Sequence, residues 1–285
     1  MIQGFETREV TDTVVRAFVE GAKGTLHKRS GPSVGQYEKT HWPTYRNLVD
    51  KPVCVFGILR GTGDLITQCQ QMKHTFYYFD HAYYFKEQKH AVNKILGDRV
   101  YRLTKNALSL NYVDKLNEED YNRINKIKKH IKIKERKKNG EYILVLPPSD
   151  HIKIYYLLGS NSWENKVIEN IKKYTDRYIK MRVKGTSIPL KEDLKNAYAV
   201  VTFQSTAAVD AVLEGVPSFC DTISCANPVS YNLDEFDKLE DPHPIDDVRE
   251  RWIDSLLANQ YTMEELRNGF AWNRLKGEFA IDGNW

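Results

Sequence analysis

Residues 200–206, Val-Val-Thr-Phe-Gln-Ser-Thr, end an apolar run in three polar side chains, and an alanine-rich stretch follows up to Glu214-Gly215-Val216-Pro217. A strand that runs directly into a helix leaves unpaired backbone N–H groups and the positive end of the helix dipole at the junction. Phosphate binds readily at such a place, and the hydroxyls of Ser205 and Thr206 add donors. Thr206, Asp210 and Glu214 fall at i, i+4 and i+8, one polar stripe on an otherwise apolar helix. Glu214, a helix length from the phosphate end, can accept hydroxyl hydrogen bonds from a ribose. The plainer alternative is that Ser205 caps the helix and the stripe faces water.

A second group of charges lies on Tyr178–Lys184, Tyr-Ile-Lys-Met-Arg-Val-Lys. Strand alternation puts Lys180, Arg182 and Lys184 on one side, toward the carboxyl end, where open α/β sheets bind ligands. A guanidinium there suits a pyrophosphate; an edge strand with its charged face in water explains the same pattern.

Earlier in the chain, Arg-Gly-Thr-Gly-Asp-Leu (60–65) and Phe-Asp-His-Ala-Tyr-Tyr-Phe (79–85) follow apolar runs. Asp64, Asp80 and His81 then fall just past strand ends, where a general base could reach a substrate hydroxyl. Singly, each also fits a cap or a turn. Arg60, Arg102 and Lys105 place cations on the same rim, and Lys128 and Lys129 lie in the run 126–138, which carries eight Lys or Arg against one Glu. That run reads either as a solvated helix end or as a surface for phosphates.

The elements that would position these groups alternate strand and helix, the pattern of a layered α/β protein. Strands are expected at 53–59, 75–79, 99–103, 142–146, 178–183 and 199–203. Helices are expected at 65–73, 118–133, from Trp163 to Tyr174, and at 190–196, 248–257 and 263–275, the last capped by Thr262. The strand–helix series restarts after the Lys-rich segment near 130–141. The implied organisation is an N-terminal domain at 1–138, completed by helices within 248–285, and a second domain at 139–247. Both are Rossmann-like halves, facing across a cleft.

Of the 285 residues, 41% are hydrophobic, enough for a substantial core. No run approaches the ~20 apolar residues of a membrane span. The N-terminus lacks the pattern of a signal peptide, and Cys54, Cys69, Cys220 and Cys225 show no CxxC spacing. A reduced, cytoplasmic protein without a metal site is expected.

Taken together, GILRGTGDLI (57–66), FYYFDHAYYF (76–85), YRLTKNAL (101–108), LPPSDHIKIYYLLG (146–159), WENKVIENIKKYTDRYIKMRVKG (163–185), VVTFQSTAAVDAVLEGVPSF (200–219) and YTMEELRNGFAWNRL (261–275) resemble bacteriophage-encoded glycosyltransferases. These are related to capsule-polysaccharide transferases and to phage DNA glycosyltransferases of the two-Rossmann, GT-B type. The resemblance spans roughly residues 53–275, and the 200–219 segment is its most specific part. It implies a nucleotide-sugar co-substrate in the second half, an acceptor in the first, and no obligatory metal. By carry-over, Ser205 and Thr206 would face the donor phosphates, Glu214 the ribose, and Arg182 and Lys184 the leaving diphosphate. Gln204 joins that donor set, although it stands where small residues or Asn are common.

The acceptor that the resemblance implies, and with which the basic run agrees, is a hydroxymethylated pyrimidine flipped out of double-stranded phage DNA, in the cytoplasm of an infected host. Asp64 or Asp80 would then deprotonate the hydroxymethyl group. A capsular or surface glycan is the second acceptor to consider, and a non-catalytic Rossmann-like DNA-binding protein is the third reading.

Overall fold

Apolar runs too short for a helix become strands, and the amphipathic segments between them become helices that cover the sheets. The computed structural model describes residues 1–45, 51–85, 96, 99–242 and 247–276. The chain forms two compact units: Met1–Leu108 together with the chain from Asn259 onward, and Ser109–Ala258.

The first unit opens with β1 (Gln3–Phe5), α1 (Glu9–Gly21) and β2 (Thr25–His27). It continues with β3 (Val53–Phe56), α2 (Thr62–Gln71), β4 (Phe76–His81) and β5 (Val100–Lys105). After the second unit the chain returns as β11 (Gln260–Thr262), α9 (Met263–Arg267) and α10 (Phe270–Lys276). The sheet runs β11-β5-β4-β3-β1-β2. β1 to β4 are parallel, whereas β5 is antiparallel to β4 and β11 antiparallel to β5.

Helix α1 is amphipathic, and Val14, Val15, Phe18 and Val19 bury its inner face. Phe18 lies with its ring 5.3 Å from Phe79 and 5.4 Å from Tyr77 on β4. Tyr261, Leu266 and Ala271 of the returning segment join the same core. The 263–275 helix is thus two helices. Gly269, at φ 84°, breaks it, and the break lets the chain pass close to Gly21 of α1. Thr262 caps as its sequence position requires, its hydroxyl accepting from the Glu265 amide at 3.2 Å while the Glu265 carboxylate accepts from the Thr262 amide at 2.8 Å.

The second unit contains α3 (Glu118–Lys128), β6 (Tyr142–Leu146), α4 (Asp150–Tyr155), α5 (Ser162–Ile171) and β7 (Tyr178–Met181). There follow α6 (Leu190–Asn196), β8 (Ala197–Thr202), α7 (Ala207–Leu213), β9 (Ser218–Cys220), β10 (Tyr231–Asn232) and α8 (Arg249–Ala258). Its parallel sheet runs β10-β9-β8-β6-β7. Ile143 and Val145 of β6 meet Trp163, Val167 and Ile171 of α5 on one face. Tyr142, Leu144 and Leu146 meet Leu194 of α6 and Ala211 of α7 on the other. Alternation along one strand therefore builds two cores, which is why YILVL is apolar throughout.

The unit boundaries differ from the 138/139 and 247/248 divisions expected from the sequence. Residues 109–138 and α8 belong to the second unit because they hold each other there. Lys128 of α3 pairs with Glu250 at 2.9 Å and Asp254 at 2.7 Å, and the Asp114 amide donates to Ser255 at 2.9 Å. Trp252, fully buried, donates from its indole nitrogen to the Cys225 carbonyl at 2.6 Å. Of the described C-terminal helices, α9 and α10 belong to the first unit.

Candidate functional site

In the second unit the chain leaves β6 toward β7 on one side and leaves β8 toward β9 on the other. The two connections diverge at the carboxyl ends of β6 and β8, the kind of place where doubly wound sheets bind ligands. Leu146-Pro147-Pro148-Ser149 leaves β6 there, and Phe203-Gln204-Ser205-Thr206 leaves β8. Ser205 is exposed, with its hydroxyl 3.2 Å from the Ala207 amide; Gln204 and Thr206 are half-buried. The strand–turn–helix pattern of 200–213 is present, and its helix buries Ala208, Val209, Ala211 and Val212. Opposite lie Ser149 and His151, with Ser149 Oγ 3.1 Å from His151 Nε2. Sequence reasoning passed over this pair. Only the strand order, which puts β6 beside β8, brings it to the same end of the sheet as Ser205.

The cations of β7 are placed differently from the sequence expectation. Lys180 and Arg182 do share one face, and β7 is an edge strand, but α6 covers that face. Asp193 of α6, buried, accepts from Lys180 at 2.7 Å and pairs with Arg182, whose other terminal nitrogen donates to the Ile188 carbonyl at 2.6 Å. Burial alone would raise the Asp193 carboxyl, but hydrogen bonds from Lys180 and Arg182 outweigh it and hold the carboxyl below its usual range. Arg182 is therefore not an idle phosphate ligand; it anchors α6 to the sheet edge. Lys184, in the following loop, is exposed.

Glu214 is likewise committed. Its carboxylate pairs with Lys134 and lies 3.7 Å from Lys191. Burial raises its pKa, yet Lys134 outweighs burial and holds it below the ordinary glutamate value. Lys134 belongs to a strap that wraps the end of α7, the Lys134 amide donating to the Leu213 carbonyl and the Lys137 amide to the Gly215 carbonyl, each at 2.8 Å. Lys137 Nζ donates to the Leu194 and Lys195 carbonyls, closing the C-terminus of α6. Lys128, Lys134 and Lys137 of the basic run thus serve internal contacts. Lys126, Lys129, Lys132 and Lys138 face water.

The first unit has its own divergence. β1 leads to β2 on one side, and β3 leads to β4 on the other. Arg60, Gly61 and Asp64 lie beyond β3. Asp64 pairs with Lys39 at 2.7 Å, both side chains well exposed at 55% and 78%. Asp80 and His81 are the last two residues of β4 rather than a turn beyond it. Because β5 is antiparallel, Arg102 lies across from Asp80 while Lys105 lies across from Tyr77. Lys105 is therefore three residues, ~10 Å, away from the rim on which the sequence expectation placed it.

Asp80 accepts from Arg102 at 2.6 Å, from the Tyr78 hydroxyl at 3.1 Å and from the His81 amide at 2.7 Å. Burial pushes this carboxyl up, but the Arg102 guanidinium and the His81 amide more than compensate and hold it below the usual aspartate value. The folded form therefore prefers the ionised group. Its stabilising contribution is complete above the unfolded-state value of about 3.9 and is lost as pH falls through the lower folded value. Asp80→Asn should flatten the acid limb of the first unit's stability below about pH 4, measured by urea unfolding across pH. His81 Nδ1 lies 3.1 Å from Arg99 Nη2.

Among the described residues, no group of three or more His, Cys, Asp or Glu is placed to hold a metal ion. Among them, too, no helix is long and apolar enough to cross a membrane.

No protein-family model and no curated protein matches the chain. Solved structures similar to it include two from one organism. The β-Kdo 2,7 transferase of Thermosulfurimonas dismutans KpsC has 9% sequence identity and a TM-score of 0.51, over 96% of this chain and 99% of that one. The β-Kdo 2,4 transferase of the same organism's KpsC has 9% identity and a TM-score of 0.45, over 91% and 90%. At such identity, likeness concerns the fold. The two α/β sheets, one mixed and one parallel, with their flanking helices make a two-domain, GT-B-like Rossmann fold.

Proposed function

We propose that the protein is a glycosyltransferase that moves a sugar from a nucleotide-sugar donor to a hydroxyl of a capsular or surface glycan. The observation that carries this reading is the likeness to the β-Kdo 2,7 transferase over nearly the full length of both chains. The donor phosphates would lie at the β6/β8 divergence against Ser205, Thr206 and Gln204, with Ser149 before α4 and His151 in its first turn at the same sheet end. Lys184 is the exposed cation beside that rim. Arg182 could join it only by giving up Asp193, and Glu214 could meet a ribose only in competition with Lys134.

The acceptor would lie on the first unit, where Asp64, Asp80 and His81 are the groups able to handle its proton. Asp64 is favoured as base. Its partner Lys39 is exposed, so freeing the carboxylate costs little, whereas freeing Asp80 would strand Arg102, only 10% exposed. A glycan acceptor is preferred to hydroxymethylated DNA for two reasons. The solved relative is named for a sugar-to-sugar linkage, and part of the basic run is spent on internal contacts. A phage origin and a host cytoplasm belong to the DNA reading.

Titration of the full chain with nucleoside mono- and diphosphates, followed by calorimetry, tests the donor site. Saturable binding is expected, and Ser205→Ala should weaken it about tenfold. Absence of binding, or binding indifferent to Ser205, would place the donor elsewhere.

A further inference from the structure

Two cations at the divergence of the first sheet take no part in the contacts described so far. Arg8 follows β1 and precedes α1, and its exposed guanidinium has neither a hydrogen-bond nor an ion-pair partner among the described residues. Arg60 follows β3 and precedes α2. Its Nε donates to the Val34 carbonyl at 2.9 Å, while its two terminal nitrogens have no partner among the described residues. Adjacent residues of one loop hold both sites: Ser33 Oγ accepts from the Glu9 amide at 3.3 Å, and Val34 accepts from Arg60.

The backbone around Arg60 is fixed as well. Its amide donates to the Gln36 carbonyl at 3.2 Å, and its carbonyl accepts from the Thr40 amide at 3.0 Å. Burial lowers the Arg60 pKa, and the nearby positive charge of Arg8 lowers it further. The Glu9–Ser33 and Arg60–Val34 contacts put both cations along one short loop, and like charges at one place favour an anion there.

Nearby carboxylates do not fill that role. Asp12 accepts from the Thr7 and Arg8 amides and from Arg29 Nε, Glu6 pairs with Arg16 at 2.5 Å, and Asp64 pairs with Lys39. Gly57, at the end of β3, leaves open space where a side chain would project.

We propose that Arg8 and Arg60 form an oxyanion-binding site at the β1/β3 divergence, receiving a carboxylate or phosphate group of the acceptor. The assignment rests on the transferase reading for the word acceptor, but the site itself is a matter of binding. A forked guanidinium on each side gives planar, two-point recognition of such a group. It would make the enzyme selective for acidic over neutral sugars.

The test uses the full chain with three probes, D-glucuronate, glucose 6-phosphate and glucose, and NMR titration as readout. Glucuronate, glucose 6-phosphate or both should bind at least tenfold tighter than glucose. Arg8→Gln and Arg60→Gln should each weaken that binding about tenfold, while Lys166→Gln, an exposed control on the other unit, should leave it unchanged. Comparing the two anions tells carboxylate from phosphate. Because Arg60 also holds the 33–36 loop, Arg8→Gln is the decisive variant. Equal binding of glucose, no binding of either anion, or an unchanged affinity in Arg8→Gln would overturn the site. Transfer activity plays no part in these readouts, so an active transferase could still lack the site, and an inactive protein could still possess it.

Discussion

Asp64→Asn is expected to slow sugar transfer by about 10²–10⁴-fold, the usual contribution of a positioned general base. Asn keeps the size of the side chain and its place in the first turn of α2 but cannot accept the acceptor's proton. The pair with Lys39 lies in solvent and contributes little to stability, so the variant should fold as the parent does. Asp80→Asn offers the contrast. There a donor network through Arg102 and the His81 amide is broken, so its main effect should be on the stability of the first sheet. The comparison is made from kcat with saturating donor and acceptor. Asp64→Asn within twofold of the parent would move the base to Asp80 or His81.

Gly215→Ala should destabilise the second unit by about 3 kcal/mol or more. Gly215 sits at φ 76°, a conformation that costs an L side chain energy, and a Cβ there would lie 2.0 Å from the Glu135 carbonyl oxygen. Neither the strap nor α7 can yield without loss. Moving residues 134–137 away breaks the backbone bonds to Leu213 and Gly215 and separates Lys134 from Glu214. Amide hydrogen exchange locates the effect: protection should fall in β6 and β8 and stay unchanged in β3 and β4. Uniform loss in both sheets, or none, would contradict the strap's role.

Strand–helix alternation and the 200–213 turn were legible because each is a local pattern: an apolar run, a polar turn and a helix of small residues. Leu190–Asn196 and the Thr262 cap follow from the same kind of signal. β1, β2 and β11 were not legible, since three residues are too few to show a period and only partner strands make them strands. The direction of β5 was hidden too, and with it the separation of Arg102 from Lys105. Charge partners were the larger omission. Lys180, Arg182 and Glu214 look available in sequence because what engages them is brought by folding: Asp193 on the helix that covers β7, and Lys134, 80 residues from Glu214. The Ser149–His151 pair and the Arg8–Arg60 pair each required the strand order before their neighbours could be known.

The most direct measurement incubates the full chain with nucleotide sugars, activated Kdo among them. Oligosaccharides of capsular type and hydroxymethylcytosine DNA serve as acceptors, and the products are followed by mass. Gain of one sugar residue on an oligosaccharide, lost in Asp64→Asn, is the predicted result. No mass increase on any acceptor, together with no nucleotide bound at Ser205, would contradict it.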